Sequence, residues 1–160
     1  MTPYMPQQEI AVIDLLIHTL RPKRVLEYGA GGSTVRWSGR RYTEEWTAVE
    51  HNREWFRKVG LVAGKHAHII TGSATDADAY VNAPGIAGWY DLIFVDGLWR
   101  VECVQASVAR LQPWGVVVLH DASRTEYAKA WDVYPCGVVL THGSPQANGL
   151  AAFWGNTWDR

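Results

Sequence analysis

Asp96, His120 and Asp121 are the residues of this sequence placed to do chemistry. Each closes an apolar run, DLIFVD for Asp96 and VVVLHD for the adjacent pair, and an unbroken apolar run of that length reads as a strand covered on both faces. A polar residue at its end stands where such a strand reaches the surface. Carboxylates so placed, Asp96 and Asp121, can hold a divalent ion through oxygen ligands. His120, whose ordinary pKa lies near neutrality, offers a general base instead. Neighbours on a strand point to opposite faces, so His120 and Asp121 need not touch.

The element that positions them begins earlier. Arg24 to Tyr28 reads as a short buried strand, Gly29-Ala30-Gly31-Gly32 as a tight turn, and Ser33 and Thr34 as caps for the following helix. Glycines let the backbone approach a ligand closely, and a helix start favours an anionic group. Glu27, Tyr28, Gly29, Ala30, Gly31, Ser33 and Thr34 are therefore expected to bind a small polar cofactor. Glu50 ends the next apolar run, 21 positions past Gly29. An acid at that distance can accept both ribose hydroxyls of an adenosine cofactor, and His51 beside it can cover the adenine. Dinucleotides and S-adenosylmethionine share this arrangement. Charge separates them, because Glu27 and Asp96 aimed at one pocket would repel a pyrophosphate and attract an ammonium. Thr34 also departs from the small residue that the dinucleotide fingerprint wants.

Taken in order, LEYGAGGST, AVEHN, TGSA, DLIFVDG and VVVLHD resemble the strand-end motifs of class I S-adenosylmethionine-dependent methyltransferases, in their small catechol O-methyltransferase-like branch. The resemblance runs from about Pro6 to Trp154. It implies an α/β fold: a single Rossmann-like, doubly wound, mostly parallel sheet ending in an antiparallel strand hairpin, with residues 1–160 as one domain. It also implies S-adenosylmethionine as cofactor and O-methylation of a small-molecule acceptor. By the same resemblance Gly72, Ser73 and Ala74 touch the adenine edge, and Asp96 and Gly97 meet the cofactor. Asp96 and Asp121 match metal ligands of the catechol-type enzymes, with magnesium the ion implied, but the amide that follows the second aspartate there is Ala122 here. Trp99 and Arg100 face the acceptor; Arg100 either holds an anionic acceptor or pairs with Glu126 or another acid. Two other classes compete, a non-catalytic nucleotide- or S-adenosylmethionine-binding module and a dinucleotide-dependent oxidoreductase. The latter would normally need a further domain.

Composition narrows the partners. A chain of 160 residues with 48% apolar and 19% charged residues suits one globular domain. A net charge of −1 supplies no field for nucleic acid, and the basic clusters Arg21, Lys23, Arg24 and Arg36, Arg40, Arg41 read as solvated faces. No apolar run is long enough to cross a bilayer and no signal segment is visible, so a cytoplasmic protein without a membrane partner is expected. Cys103 and Cys136 lack the spacing of a redox or metal pair. Nine tryptophans, from Trp37 to Trp158, imply that some are exposed, at a homodimer interface or in an aromatic-lined pocket.

Periodicity supplies the remaining elements. Ile10, Ile13, Ile17 and Leu20 predict a first helix ended by Pro22; the resemblance implies that the segment Tyr4–Gln8 ahead of it, with Gln7 and Gln8 as contacts, lies near the methionine end of the cofactor. Helices are expected over Thr34–Arg41, after Asn52 with Trp55, Phe56 and Val59 toward the sheet, over Val101–Leu111 with Pro113 and Gly115 as terminators, and around Glu126–Trp131. Strands are expected at Trp46–Glu50, Ala67–Thr71, Asp91–Val95 and Val116–Leu119. A final hairpin pairs Cys136–Thr141 with Leu150–Trp154 through HGSPQANG. The acceptor is expected over Tyr4–Gln8, Asn82–Trp89, Leu98–Arg100, Ser123–Glu126 and the hairpin tip.

Overall fold

Seven strands form one sheet in the order β3-β2-β1-β4-β5-β7-β6: β1 (Arg24–Tyr28), β2 (Glu45–Glu50), β3 (Ala67–Thr71), β4 (Tyr90–Val95), β5 (Leu111–His120), β6 (Cys136–Thr141) and β7 (Leu150–Trp154). The computed structural model describes residues 1–143 and 148–155, so residues 144–147 of the hairpin tip and Trp158 lie outside the described residues. β1 to β5 run parallel, and β7 is antiparallel to both β5 and β6. The strand order reverses between β1 and β4. At that point the chain leaves adjacent strands in opposite directions and opens a crevice at their carboxyl ends.

The helices are α1 (Gln7–Leu20), α2 (Gly32–Trp37), α3 (Arg53–Gly60), α4 (Ala77–Val81) and α5 (Arg100–Ser107), with a 3-10 helix over Thr125–Asp132. Two apolar clusters cover the two sheet faces. Ile93 and Val95 of β4 join one with Tyr28, Tyr80, Cys103, Leu119 and Phe153, while Leu92 and Phe94 join the other with Ile13, Ile17, Trp37, Trp46 and Leu150. Because a strand sends alternate side chains to opposite faces, a strand buried on both faces must be apolar throughout. That accounts for DLIFV.

The α1 helix ends at Leu20, ahead of Pro22 as expected, with Arg21 in the left-handed conformation (φ 47) donating its N–H to Ile17 O. Other boundaries depart from the expected ones. α2 ends at Trp37, four residues short of Arg41, and α4 has no clear apolar period to announce it. Leu111 belongs to β5 and not to α5. Pro113 and Gly115, which read as helix terminators, sit where the pairing of β4 with β5 shifts between Tyr90 and Leu92. A bulge tolerates a proline because the missing N–H has no ladder partner to lose. Both cysteines are free. Four residues of the basic clusters are paired with acids: Arg24 with Glu45, Lys23 with Glu44, and Arg36 and Arg40 with Asp14. Among the described residues no helix is long and apolar enough to cross a membrane.

Candidate functional site

The glycine loop is held from beneath by Glu27. This carboxyl is fully buried and accepts from Thr34 Oγ1 at 2.6 Å, Trp46 Nε1 at 2.6 Å and Ser33 Oγ. Thr34 Oγ1 in turn accepts the Gly31 N–H at 2.9 Å, so one buried acid sets the path of the turn. Glu27 therefore does not reach the cavity to meet an ammonium, as its sequence position suggests. Ser33 and Thr34 lie inside α2 and both donate to Glu27; Thr34 also caps the helix start as expected, because its Oγ1 accepts the N–H of the N-cap residue Gly31, whereas Ser33 is committed to Glu27. Burial pushes the Glu27 carboxyl up to about 7 against the pull of its three donors. Gly29 has φ +103, and a Cβ there would meet Gly97 Cα at 2.7 Å. Only glycine permits this backbone and this approach between the ends of β1 and β4.

Above the loop a cavity of about 1120 Å³ opens at the crevice. Of the residues singled out from sequence, Gly29, Ala30, Gly31, Ser33, Glu50, His51, Asp96, Gly97, Arg100, His120 and Asp121 line it. Glu27, Tyr28, Thr34, Gly72, Ser73, Ala74 and Trp99 do not. The Tyr28 ring is buried under the sheet and donates to Val81 O. A Cβ on Gly72 would meet Val49 and Tyr80 at 2.6 Å, so packing explains that glycine, and Ser73 Oγ accepts the Asp76 N–H. Trp99, in the left-handed region (φ 51), turns the chain into α5. The loop 82–89 precedes a parallel strand and so belongs to the opposite edge of the sheet, where Arg24 bonds the carbonyls of Ala87 and Trp89.

Tyr4, Met5, Pro6, Leu98, Arg124 and Asn148 also line the cavity, within segments expected to meet the acceptor, while some lining residues went unread in the sequence. Glu54, Trp55 and Lys58 come from α3, whose cap Asn52 accepts from Glu54 and Trp55 N–H groups. Trp55 faces the cavity and not the sheet, and helical spacing from the cap could have found it together with Lys58 one turn on. Thr2 to Met5 and Pro6 form a further wall; Gln7 and Gln8 begin α1 instead. A Cβ on Gly32 would collide with the Thr2 backbone, so this segment rests directly on the loop. Arg124 and Asn148 complete the far end.

At the near end Glu50 is nearly buried yet lines the cavity. Its Oε1 accepts the Asn52 N–H at 2.7 Å and lies 3.2 Å from His51 Nδ1. The second oxygen has no hydrogen bond among the described residues. Desolvation raises the Glu50 pKa. The glycine loop with Gly31 open above it, and a pinned carboxylate with one oxygen to spare, fit the adenosine and ribose of S-adenosylmethionine.

At the far end the charges are already partnered. His120 Nδ1 lies 2.7 Å from Asp96 Oδ1 and Nε2 lies 2.9 Å from Glu9 Oε2. With an acid on each nitrogen the imidazolium, donating to both, is the form that fits, and neither nitrogen is left to take a proton from an acceptor. The general-base role expected of His120 thus lacks its lone pair. Glu9, on α1, gave no signal because its partner is 111 residues away. Asp121 adopts φ 59, which turns its carboxylate out of the strand alternation and brings Oδ2 to 4.0 Å from His120 Nδ1. Arg100 lies between the two aspartates, at 3.0 Å from Asp121 Oδ2 and 3.1 Å from Asp96 Oδ1. It does not pair with Glu126. Magnesium does not fit this arrangement. A divalent ion about 4 Å from a guanidinium meets repulsion on the order of 8 kcal/mol at an effective dielectric of about 20. His120 would also have to give up a proton to ligate.

These pKa displacements predict a stability optimum on the mildly acidic side. Although burial of His120 disfavours its charge, the acids around it hold its pKa above 6.5. Its contribution is therefore full below pH 6.5 and lost as pH rises through the folded value. Asp121, although burial opposes its charge, is held below 3.8 by Asn148, His120 and the two arginines. Its contribution is present above pH 3.8 and lost on acidification. Melting temperature followed from about pH 4 to 9 should fall on the alkaline side, and His120→Gln should flatten that limb above pH 6.5; an unchanged slope would remove His120 from the network.

No protein-family model matches the chain, and no curated protein does. Solved structures do. A candidate caffeoyl-CoA O-methyltransferase from Staphylococcus aureus superposes with TM-score 0.70 at 17% identity, over 96% of this chain and 86% of its own. A methyltransferase-like protein from Silicibacter pomeroyi gives 0.64 at 23% identity, over 94% and 86%. A Podospora anserina methyltransferase bound to S-adenosylhomocysteine gives 0.59 at 19% identity, over 97% and 90%. The fold of this chain is that of the class I methyltransferases.

Proposed function

We propose that this chain is an S-adenosylmethionine-dependent methyltransferase acting on an oxygen of a small-molecule acceptor. One observation carries the reading: a single cavity runs from the free oxygen of Glu50, across the glycine loop, to Asp96, Asp121 and Arg124. A ligand held at the first end projects its reactive group toward the second, and about 1120 Å³ is ample for a cofactor and a small acceptor together. Fold alone names no reaction, since one architecture serves many chemistries. The names of the similar structures support methyl transfer, and the net charge of −1 supports a small acceptor over nucleic acid.

When bound, S-adenosylmethionine supplies an electrophilic methyl on a sulfonium. The residues of this chain supply orientation: Glu50 holds the ribose, the loop from Gly29 to Gly31 the backbone contacts, and Trp55 and Met5 in the cavity lining exclude water. In-line displacement needs little more than proximity. His120 and Arg100 have their donors committed, so the acceptor oxygen must be acidic enough to ionise without a dedicated imidazole base. Arg124, about two-fifths exposed and paired among the described residues with Asp121 and Glu126, is the cation at the far end available to an anionic acceptor.

Calorimetry and thermal shift with S-adenosylmethionine, S-adenosylhomocysteine and NAD test the cofactor, because a ligand specific to the folded state raises its apparent stability. The first two should bind and NAD should not. Glu50→Ala should weaken S-adenosylhomocysteine about 30- to 150-fold, the equivalent of about 2 to 3 kcal/mol, and unchanged affinity would sink the ribose assignment. Labelled-methyl transfer into metabolite pools then separates an enzyme from a binding module.

A further inference from the structure

Arg100 opens α5 four residues after Asp96, and its side chain folds back across the ends of β4 and β5. Nε donates to Gly97 O at 3.0 Å, Nη1 to His120 O at 2.7 Å and to Asp121 Oδ2 at 3.0 Å, and Nη2 to Asp96 O at 3.3 Å, with Asp96 Oδ1 at 3.1 Å. Every guanidinium nitrogen is therefore engaged. The Tyr127 ring lies 5.2 Å from the guanidinium carbon, and the side chain is 12% exposed. Backbone carbonyls at the ends of two parallel strands fix the group as firmly as the carboxylates do. At the same place Asp96, His120 and Asp121 bring potential ligand atoms within 4.8 Å of one another; with His120 held as the imidazolium, the carboxylates of Asp96 and Asp121 are the oxygen ligands suited to a divalent ion.

We propose that Arg100 is the resident cation of this end of the cavity, standing in for a divalent ion between Asp96 and Asp121, and that removing its charge unmasks a divalent-cation site there. The guanidinium neutralises both aspartates, bridges the ends of β4 and β5, and excludes a second cation by like charge. Positively charged, it cannot be deprotonated to make room. Arg100 is thus a positioning residue: it holds the two carboxylates at the acceptor end without meeting the acceptor itself. The idea rests on the same site as the methyl-transfer reading, but metal binding needs neither cofactor nor acceptor, so the two fail separately.

Manganese titration of the full chain, followed by electron paramagnetic resonance of the free ion, is the test. Wild type should bind no manganese at micromolar concentrations, and chelator should leave its melting temperature unchanged. Arg100→Met, which keeps apolar volume against Tyr127, should bind manganese at least about tenfold more tightly than wild type, and adding Asp121→Asn should abolish the gain. Arg100→Lys should stay blind to the metal because it keeps the charge. Should Arg100→Met fail to fold, Arg100→Gln carries the same comparison, since its amide still reaches the strand-end carbonyls without charge. Tight manganese binding by wild type that disappears in Asp121→Asn would overturn the proposal. So would a folded, uncharged Arg100 variant that binds no better than wild type.

Discussion

Glu27→Ala should bring the protein to the edge of unfolding. The substitution strips Ser33, Thr34 and Trp46 of their shared acceptor; Trp46, Thr34 and Glu27 itself are buried away from water, and Ser33 alone borders the cavity. Each stranded buried donor costs about 1 to 3 kcal/mol, and the void adds more. A total of about 4 kcal/mol or above is expected, against a typical domain stability of about 5 to 15 kcal/mol. Glu27→Gln should be far milder: its amide oxygen can accept from Thr34 and Trp46 while its NH2 donates to Ser33 Oγ, which can accept. Urea denaturation at two pH values reads both effects. Because the folded pKa of Glu27 is raised from 4.5 to about 7, the wild type should lose stability as pH rises between those values, by at most about 3 kcal/mol. Glu27→Gln has no such titration and should lack that loss. An alanine variant within about 1 kcal/mol of wild type would show that the loop does not depend on this acid.

Gly31→Val should abolish S-adenosylhomocysteine binding, a loss of at least about 100-fold, in a protein that still melts cooperatively. Gly31 has an extended φ of −169, which any residue adopts, and a Cβ there meets only Trp55 Nε1 at 3.6 Å and Ser33 Oγ at 3.9 Å. The added branches therefore enter the cavity and not the core. Gly29→Val makes the contrast. Its φ of +103 and its 2.7 Å approach to Gly97 leave a side chain neither a permitted conformation nor space, so that variant should fail to fold. Calorimetry and circular dichroism on the pair separate the two roles of glycine within one turn. Retained affinity in a folded Gly31→Val would mean that the cofactor does not cross this loop.

The sequence by itself determined the sheet and the general place of the site. Unbroken apolar runs must be strands covered on both faces, and the turn Gly29-Ala30-Gly31-Gly32 must follow the first of them, so Glu50, Asp96, His120 and Asp121 were legible as strand-end residues. Spacing also exposed Asn52 as a helix cap and the closing hairpin. Tertiary structure decided what each polar group does. Glu27 reads as a cofactor acid until the side chains of Ser33 and Thr34 from α2 and of Trp46 from β2 converge on it. His120 reads as a base until Glu9, on a helix more than a hundred residues earlier, meets its second nitrogen. Arg100 reads as either an acceptor contact or the partner of a neighbouring acid, and the fold decides for the second by spending its fork between Asp96, Asp121 and the carbonyls of two strand ends. Strand periodicity is a local property of the chain, whereas the partners of a charge are set by which distant elements the fold brings within hydrogen-bond reach, and no spacing in the sequence encodes that distance.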